Sequence, residues 1–502
     1  MNTKIYAHYK ILVKLTAILM VLALICIGFW SCKADPSGET NGRDSTPTGG
    51  SNSMNGSEDA GNTETKVKHD LPDNLKFSGE TFNILYPLEW PAISNYSFAE
   101  SLNGEIFNDA MYNRVLAVEE RLDITINPIG KGTISTIYSD MQTAARSGMN
   151  EYQLVLAHSF VGLQSIFTGG LAANFQKMPN IDMNKPYWYK WINEDLTFNG
   201  IQLAAANSFI MMNPCVMLFN KDMIMKYDLG DPYGLVDNNK WTWDAFAEMA
   251  KAVTLDLDGD GVYTDKDQYG FAAPPLNFLT RAILQSSGMK SVYYVEETDS
   301  LELGIENERF YALMDKLHDL FYVGNQTFVG THLGNASDPL SMTTGRVLFF
   351  PIPLVNANEF RASDINYGIL PYPKASEDQD RYWMITDSGH LVVPKDANLE
   401  LTGAVCELLA YESYTNVLPV YYDIILTLKD TRDDESRRMI DIIYDGLVID
   451  IGKTLGDNHA MAGAVGTLIN SKTTNYASFI EANKSAFLNV MNKTIDAIKA
   501  GE

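Results

Sequence analysis

The sequence predicts an α/β protein of two lobes carried on a polar N-terminal stalk. Three observations lead there. The chain has 502 residues, which at ~150 residues per domain suits about three domains, or two lobes and a tail. Strand-like and helix-like patterns alternate over roughly 430 residues, the mark of a layered α/β fold. Apolar residues make up 46% and charged residues 20% of the chain, near the globular norm, so most of it can bury a core.

The elements follow in order. Lys4, Lys10 and Lys14 precede an apolar run from Leu15 to Trp30, broken only by Thr16 and Gly28 and ending at Ser31-Cys32. A basic start, a short apolar stretch and a small residue describe an export signal. The run falls short of the ~20 residues of a spanning helix. Residues 33 to 65 are rich in Gly, Ser, Thr, Asn and Asp with almost nothing to bury, so they cannot offset their ordering entropy and are expected to form a flexible tether reaching roughly 30 Å. Thr81–Tyr86 reads as a strand between Gly79 and Pro87. Met111, Val115, Val118 and Leu122 recur at helical spacing. Ile124–Ile126 and Tyr152–Ala157 are further strands, the latter apolar enough to be buried on both faces. Trp243–Val253 reads as a helix with Phe246, Met249, Ala250 and Val253 on one face, Thr242 as its cap and Asp244 in its first turn. Val347–Phe350, Tyr367–Leu370 and Leu391–Val393 are short strands, and Thr402–Tyr411 and Ile480–Ile498 are helices.

Charge and cysteine usage exclude several classes. With 38 Lys+Arg against 63 Asp+Glu the net charge is −25, so a basic nucleic-acid face is not expected. Four Cys are too few for a disulfide scaffold or a multi-cysteine zinc protein. Gly446–Lys453 (GLVIDIGK) imitates a phosphate-binding loop with one residue too many between its glycines, and no HExxH or GxSxG occurs. Cys215 and Cys406 lie in apolar surroundings, where buried free thiols are expected, pairing being the alternative.

Several ordered segments then carry a resemblance. They are Tyr152–Phe160 (YQLVLAHSF), Gly169-Gly170-Leu171-Ala172, Gly200-Ile201-Gln202-Leu203, Leu218-Phe219-Asn220-Lys221-Asp222, Lys240-Trp241-Thr242-Trp243-Asp244 and Thr344-Gly345-Arg346-Val347. In this order they resemble the extracellular solute-binding proteins of ABC importers, family 1, which includes maltose-binding protein. The resemblance spans residues 78 to 500. Ser31-Cys32 and the polar tail after it are similar to the bacterial lipobox, which implies lipidation at Cys32.

The family implies a two-lobed periplasmic-binding-protein fold of type II, with the ligand cleft between lobes that close about a hinge. The chain then divides into a signal peptide (1–31), a lipid-attached disordered tether (32–75), lobe 1 (76–212 plus 372–425) and lobe 2 (213–371 plus 426–502), with crossings near 206–214, near 370–373 and in the C-terminal third. The implied function is capture of a carbohydrate, an oligosaccharide, outside the cytoplasm by a membrane-anchored monomer that delivers it to an ABC permease. No catalysis and no nucleic acid are expected. The competing readings are a secreted glycoside hydrolase, which needs two carboxylates at a set spacing, and a surface glycan-binding or sensing protein that feeds no importer.

Ligands of open α/β sheets bind beyond the carboxyl ends of strands, and sugars want aromatic faces with amides and carboxylates at their edges. The candidates are therefore Tyr86, Glu89 and Trp90 after the first strand, and His158 and Ser159 after the third. Asn207 and Asn213 lie at the first crossing, Phe350, Trp383 and Asp387 beside later strands, and Tyr421 and Tyr422 at the third crossing. The Trp188-Tyr189-Lys190-Trp191 cluster either reaches the cleft rim or closes the first lobe's core. No cofactor is required. The one metal motif, D-x-D-x-D-G-x₅-acid, offers Asp256, Asp258, Asp260, Val262, Thr264 and Asp267 as oxygen ligands for a structural Ca²⁺, with Gly261 at the turn. Asp in place of Glu at its last position predicts weak affinity.

Overall fold

The structure is a computed structural model that describes residues 67–274, 278–330, 334–360, 363–386, 389–426, 434–456 and 459–501. The export signal, Cys32 and the tether through residue 66 lie outside the described residues, as does Asp387. In chain order, residues 80–303 form β1 (Glu80–Pro87), α1 (Pro91–Ser97), α2 (Ile106–Leu122), β2 (Ile124–Lys131), α3 (Ile134–Ser147), β3 (Leu154–His158), α4 (Leu163–Thr168), α5 (Lys190–Asp195), β4 (Cys215–Asn220), α6 (Lys221–Tyr227), α7 (Pro232–Asp237), α8 (Trp243–Val253), β5 (Tyr269–Ala273), α9 (Phe278–Ser286), β6 (Val292–Val295) and β7 (Ser300–Leu303). Then come α10 (Glu308–His318), β8 (Thr327–Val329), β9 (Val347–Pro353), β10 (Tyr367–Leu370), β11 (Met384–Ile385), β12 (Gly389–Val392), α11 (Leu399–Glu412), α12 (Leu418–Leu426), α13 (Asp434–Asp445), β13 (Leu447–Val448), α14 (Ile451–Leu455), α15 (Ala464–Ser471) and α16 (Tyr476–Ala500).

Two sheets define the two lobes. The first runs β12-β3-β1-β2, with β1 parallel to both β2 and β3 and β12 antiparallel to β3. The second runs β10-β4-β9-β5-β8, antiparallel across β10, β4 and β9 and parallel across β9, β5 and β8. Every residue of β3 is buried, because strands lie on both its edges and helices over its faces. Phe82, Ile84 and Leu85 of β1 are likewise buried, each stabilising the lobe by about 1.5–3 kcal/mol. In the second lobe Thr242 caps α8 by accepting the Ala245 N–H, and Phe246, Met249, Ala250 and Val253 turn inward. Gly270 lets α8 sit directly on β5, since a Cβ there would collide with the Ala250 backbone.

Three chain segments pass between the lobes side by side. Pro214 bridges to Thr386, and Met384–Ile385 pairs in parallel with Leu447–Val448. The Tyr444 hydroxyl also donates to the Met212 carbonyl at 2.8 Å. Parallel thin strands with few cross-links are what a hinge requires.

The sequence-based boundaries need three corrections. The tether ends before residue 67, not at 75: Leu71 is buried, and Arg121 donates to the Pro72 and Leu75 carbonyls at 2.6 and 3.2 Å. The second crossing includes 384–386, not 370–373, because 372–383 belongs to lobe 2. There the Lys374 N–H donates to Trp241 and the Trp243 N–H to Lys374, and the Tyr382 hydroxyl donates to the Val236 carbonyl at 3.3 Å. Lastly, α16 does not belong to lobe 2 alone. Lys484 pairs with Glu306 at 2.9 Å on the second lobe, and near the other end Thr494 accepts from Gln164 of α4 at 3.0 Å.

Candidate functional site

The carboxyl ends of β1 and β3 meet the second lobe at one cluster. After β1 the chain is held to the end of β2, with Leu88 N–H donating to Lys131 and Glu89 N–H to Gly132. This presents Trp90, half-buried at the N-terminus of α1. The indole lies 4.3 Å from the His158 ring, centroid to centroid, at 43°. His158 ends β3 and is 8% exposed. Its Nδ1 accepts the Phe160 N–H at 2.9 Å, which leaves the ring proton on Nε2. Burial, then the charge of Lys453, pulls its pKa down to about 4, so at neutral pH it is an uncharged ring. Ser159 beside it is fully buried.

Lys453 comes from α14, after the third crossing. Burial and the neighbouring Arg281 of α9 pull its pKa down to about 8, with Asp450 opposing. Asp450 caps α14 at Gly452 N–H, 3.0 Å, and accepts Ser291 N–H, Ser291 Oγ and Gln285 Nε2 at 2.8, 2.7 and 3.0 Å. A carboxylate at the head of α14 also occupies the place an anion would take at a phosphate loop. The cluster thus combines an aromatic face, a neutral imidazole and two cations, the pieces for stacking a ring and donating hydrogen bonds.

The other sequence candidates divide. Glu89 is exposed close to Trp90. Tyr86 faces a groove of lobe 1 beside α1 and α2 instead. Asn207 is fully buried and spent on the fold: its Nδ2 donates to the Cys406 carbonyl at 3.3 Å and its Oδ1 accepts Phe209 N–H at 3.0 Å. Asn213 Oδ1 accepts Val355 N–H at 3.0 Å, tying the first crossing to the second lobe. Phe350 is a core residue of β9, against Phe360 at 5.8 Å. Trp383 lines a separate pocket of about 530 Å³ with Trp243 and Arg309 on lobe 2, because the 372–383 segment is anchored on that lobe. Tyr421 is buried among Tyr96 and Phe107, and Tyr422 abuts Tyr444 at 5.3 Å. Both belong to α12 of lobe 1, and the chain has reached the second lobe by Ser436, whose Oγ bonds the Tyr233 hydroxyl at 2.9 Å and accepts the Ile369 N–H at 3.3 Å.

The Trp-rich cluster splits between its two readings. Trp188 is buried, and Glu407 accepts from its Nε1 at 2.9 Å and from the Tyr187 hydroxyl at 2.6 Å. Trp191 is only half-buried and holds the Arg381 guanidinium 3.8 Å above its ring. Sequence reasoning missed Arg281, whose helix gave no signal, and Lys453, which sits in the imitation phosphate loop. Cys215 and Cys406 are both buried thiols outside any disulfide, as expected.

In the acidic loop, one oxygen each of Asp256, Asp258 and Asp260 can lie within 4.8 Å of the others. That is a fit for a hard cation on one side of the loop. Asp267 faces the opposite way: its carboxylate accepts Leu257 N–H at 2.9 Å and Thr264 N–H at 2.7 Å, bonds that hold its pKa below the usual range. Thr264 Oγ1 also turns to Asp267, at 3.3 Å, and Val262 is exposed. The first three carboxylates are therefore grouped, while each also accepts a loop N–H, and Asp267 stands outside the group.

No protein family's sequence profile and no curated protein matches the chain. Solved structures do. A cyclo/maltodextrin-binding protein complexed with maltotetraose aligns with a TM-score of 0.53 at 12% identity, over 85% of this chain and 98% of that one. The cyclic α-maltosyl-1,6-maltose binding protein from Arthrobacter globiformis aligns at 0.51 and 12%, over 84% and 99%. A protein from Mycobacterium tuberculosis in complex with glycerophosphocholine aligns at 0.51 and 14%, over 77% and 95%. The fold is thus the two-lobed, type II fold of periplasmic solute-binding proteins. Among the described residues no helix is long and apolar enough to cross a membrane.

Proposed function

We propose that this protein captures a carbohydrate, an oligosaccharide, between its lobes and hands it unchanged to an ABC permease. The observation that carries the reading is the Trp90–His158 ring pair at the carboxyl ends of the first sheet, with the charge of Lys453 near enough to help lower the His158 pKa. A ring stacked on Trp90 and bonded by donors of the other lobe would favour the closed form, which is how a ligand drives a hinge. Two of the three similar structures described above are named for the oligosaccharides they bind, and the third holds glycerophosphocholine. The ligand class therefore rests on the aromatic face rather than on the fold.

The export signal and Cys32 support a lipid-anchored, extracytoplasmic protein on a flexible tether. A structural Ca²⁺ held by Asp256, Asp258 and Asp260 would order the 256–267 loop, remote in role from the ligand.

A thermal-shift and calorimetry screen against oligosaccharides, peptides and polyamines tests the reading. One glycan class should raise the melting temperature and be recovered intact. Stabilisation by peptide or polyamine with none by any glycan would overturn the carbohydrate assignment. Cleaved glycan in the recovered sample would favour a hydrolase.

A further inference from the structure

A second groove, outside the cluster between the lobes, opens on lobe 1 beside β1, α1 and α2. It has a volume of about 660 Å³, within the range of small-molecule sites. Its apolar faces are the rings of Tyr86, Phe98 and Tyr112. The tip of the Tyr86 ring lies against Gly130, where a Cβ would stand 2.9 Å from it, so a larger residue there would push the ring aside. Phe98 supports it at 5.3 Å. The polar rim is Ser94, Asn95 and Glu100. Ser94 Oγ donates to Asn95 Oδ1 at 3.5 Å, and Asn95 is exposed. Glu100 is exposed and lies close enough to Tyr86 to help raise the phenol's pKa. Aromatic faces with a hydroxyl, an amide and a carboxylate at the edge are the complement of a pyranose ring: C–H face on the aromatics, hydroxyls on the rim.

The groove is linked to the cluster between the lobes. Trp90 stands at the N-terminus of α1, and Ser94 and Asn95 lie on α1 itself. Seven helical residues span about 10 Å. We propose that this groove is an outer subsite for a neutral oligosaccharide: the chain whose inner residues meet Trp90 continues along α1 and lays a further sugar on Tyr86 and Tyr112. The inference rests on the carbohydrate reading above and narrows it to chains longer than a disaccharide.

Calorimetry of the soluble chain tests it, with a disaccharide and a hexasaccharide of each linkage in a glucan, mannan and galactan panel. For the linkage that binds, the hexasaccharide should bind up to about tenfold more tightly than the disaccharide, the effect of one aromatic stack. Tyr112→Ala should remove that advantage while leaving disaccharide affinity unchanged, and Tyr112→Phe should restore it. Glu100→Gln, an exposed change that cannot unfold the protein, should weaken only the hexasaccharide. Equal affinity for both lengths, or a length advantage untouched by Tyr112→Ala and Glu100→Gln, overturns the subsite and leaves the carbohydrate reading standing. Failure of every glycan of either length to bind overturns both together.

Discussion

Replacing His390 by Leu should stabilise the protein, and the gain should grow as the pH falls. His390 is fully buried on β12, and neither ring nitrogen has a hydrogen-bond partner among the described residues. Burial, aided by His158 beside it, pushes its pKa down to about 3. In an unfolded chain the value is about 6.5. At pH 7 both states are neutral, and the native state carries the penalty of a buried, unpaired polar group, about 1–3 kcal/mol. Below pH 6.5 the unfolded chain binds a proton that the folded protein refuses, so stability is lost as pH falls, by about 1.4 kcal/mol per unit. At pH 5 this adds about 2 kcal/mol against the wild type. Leu removes both terms. Because the other titrating groups are common to the two proteins, the difference between their stabilities isolates this one. The assay is urea unfolding of wild type and His390→Leu at pH 7, 6 and 5, followed by tryptophan fluorescence. A difference in stability that stays constant from pH 7 to pH 5 would refute the reasoning, since it would mean His390 titrates alike in both states.

Three further outcomes follow from the same structure. Lys290→Met should destabilise the protein by about 3–5 kcal/mol, because it strands the Asp195 carboxylate that Lys290 pairs with across the lobe boundary, and Asp195→Leu in the same chain should recover most of the loss in denaturant unfolding. Trp90→Ala should weaken the glycan found in the screen by about tenfold or more with little change in the melting temperature of the free protein, as calorimetry and thermal unfolding would read. Millimolar Ca²⁺ should raise the melting temperature of the wild type but not of Asp258→Asn, and a rise of the same size in the variant would exclude the 256–267 loop as its origin.

Much of the fold follows from local pattern. The strand at 80–87 and the helix at 243–253, with Thr242 as its cap and four apolar residues on one face, express hydrophobic alternation and capping chemistry. These operate within a dozen residues and so are visible in the chain itself. The same is true of Trp90 and His158, which follow strand ends and so had to reach the carboxyl edge of a sheet. Asn207, Phe350 and Trp383 show where that reasoning stops. Each also lies near a strand or a crossing. Yet Asn207 holds a backbone turn, Phe350 points into the core of β9, and Trp383 rides with a segment that docks on the second lobe.

By itself, then, the sequence determined the α/β class, the order of strands and helices and the positions of Trp90 and His158 at strand ends. Only the tertiary structure decided which lobe residues 372–383 join, that the charge of Lys453 reaches His158 and that of Arg281 reaches Lys453, and that Tyr86 lies against Gly130 in a groove of its own. The physical reason is one of range. Periodicity and capping are settled between near neighbours in the chain. The approach of the Lys453 charge to His158 depends on how two sheets, joined by three thin crossings, bury their surfaces against each other, and no short window of residues encodes that.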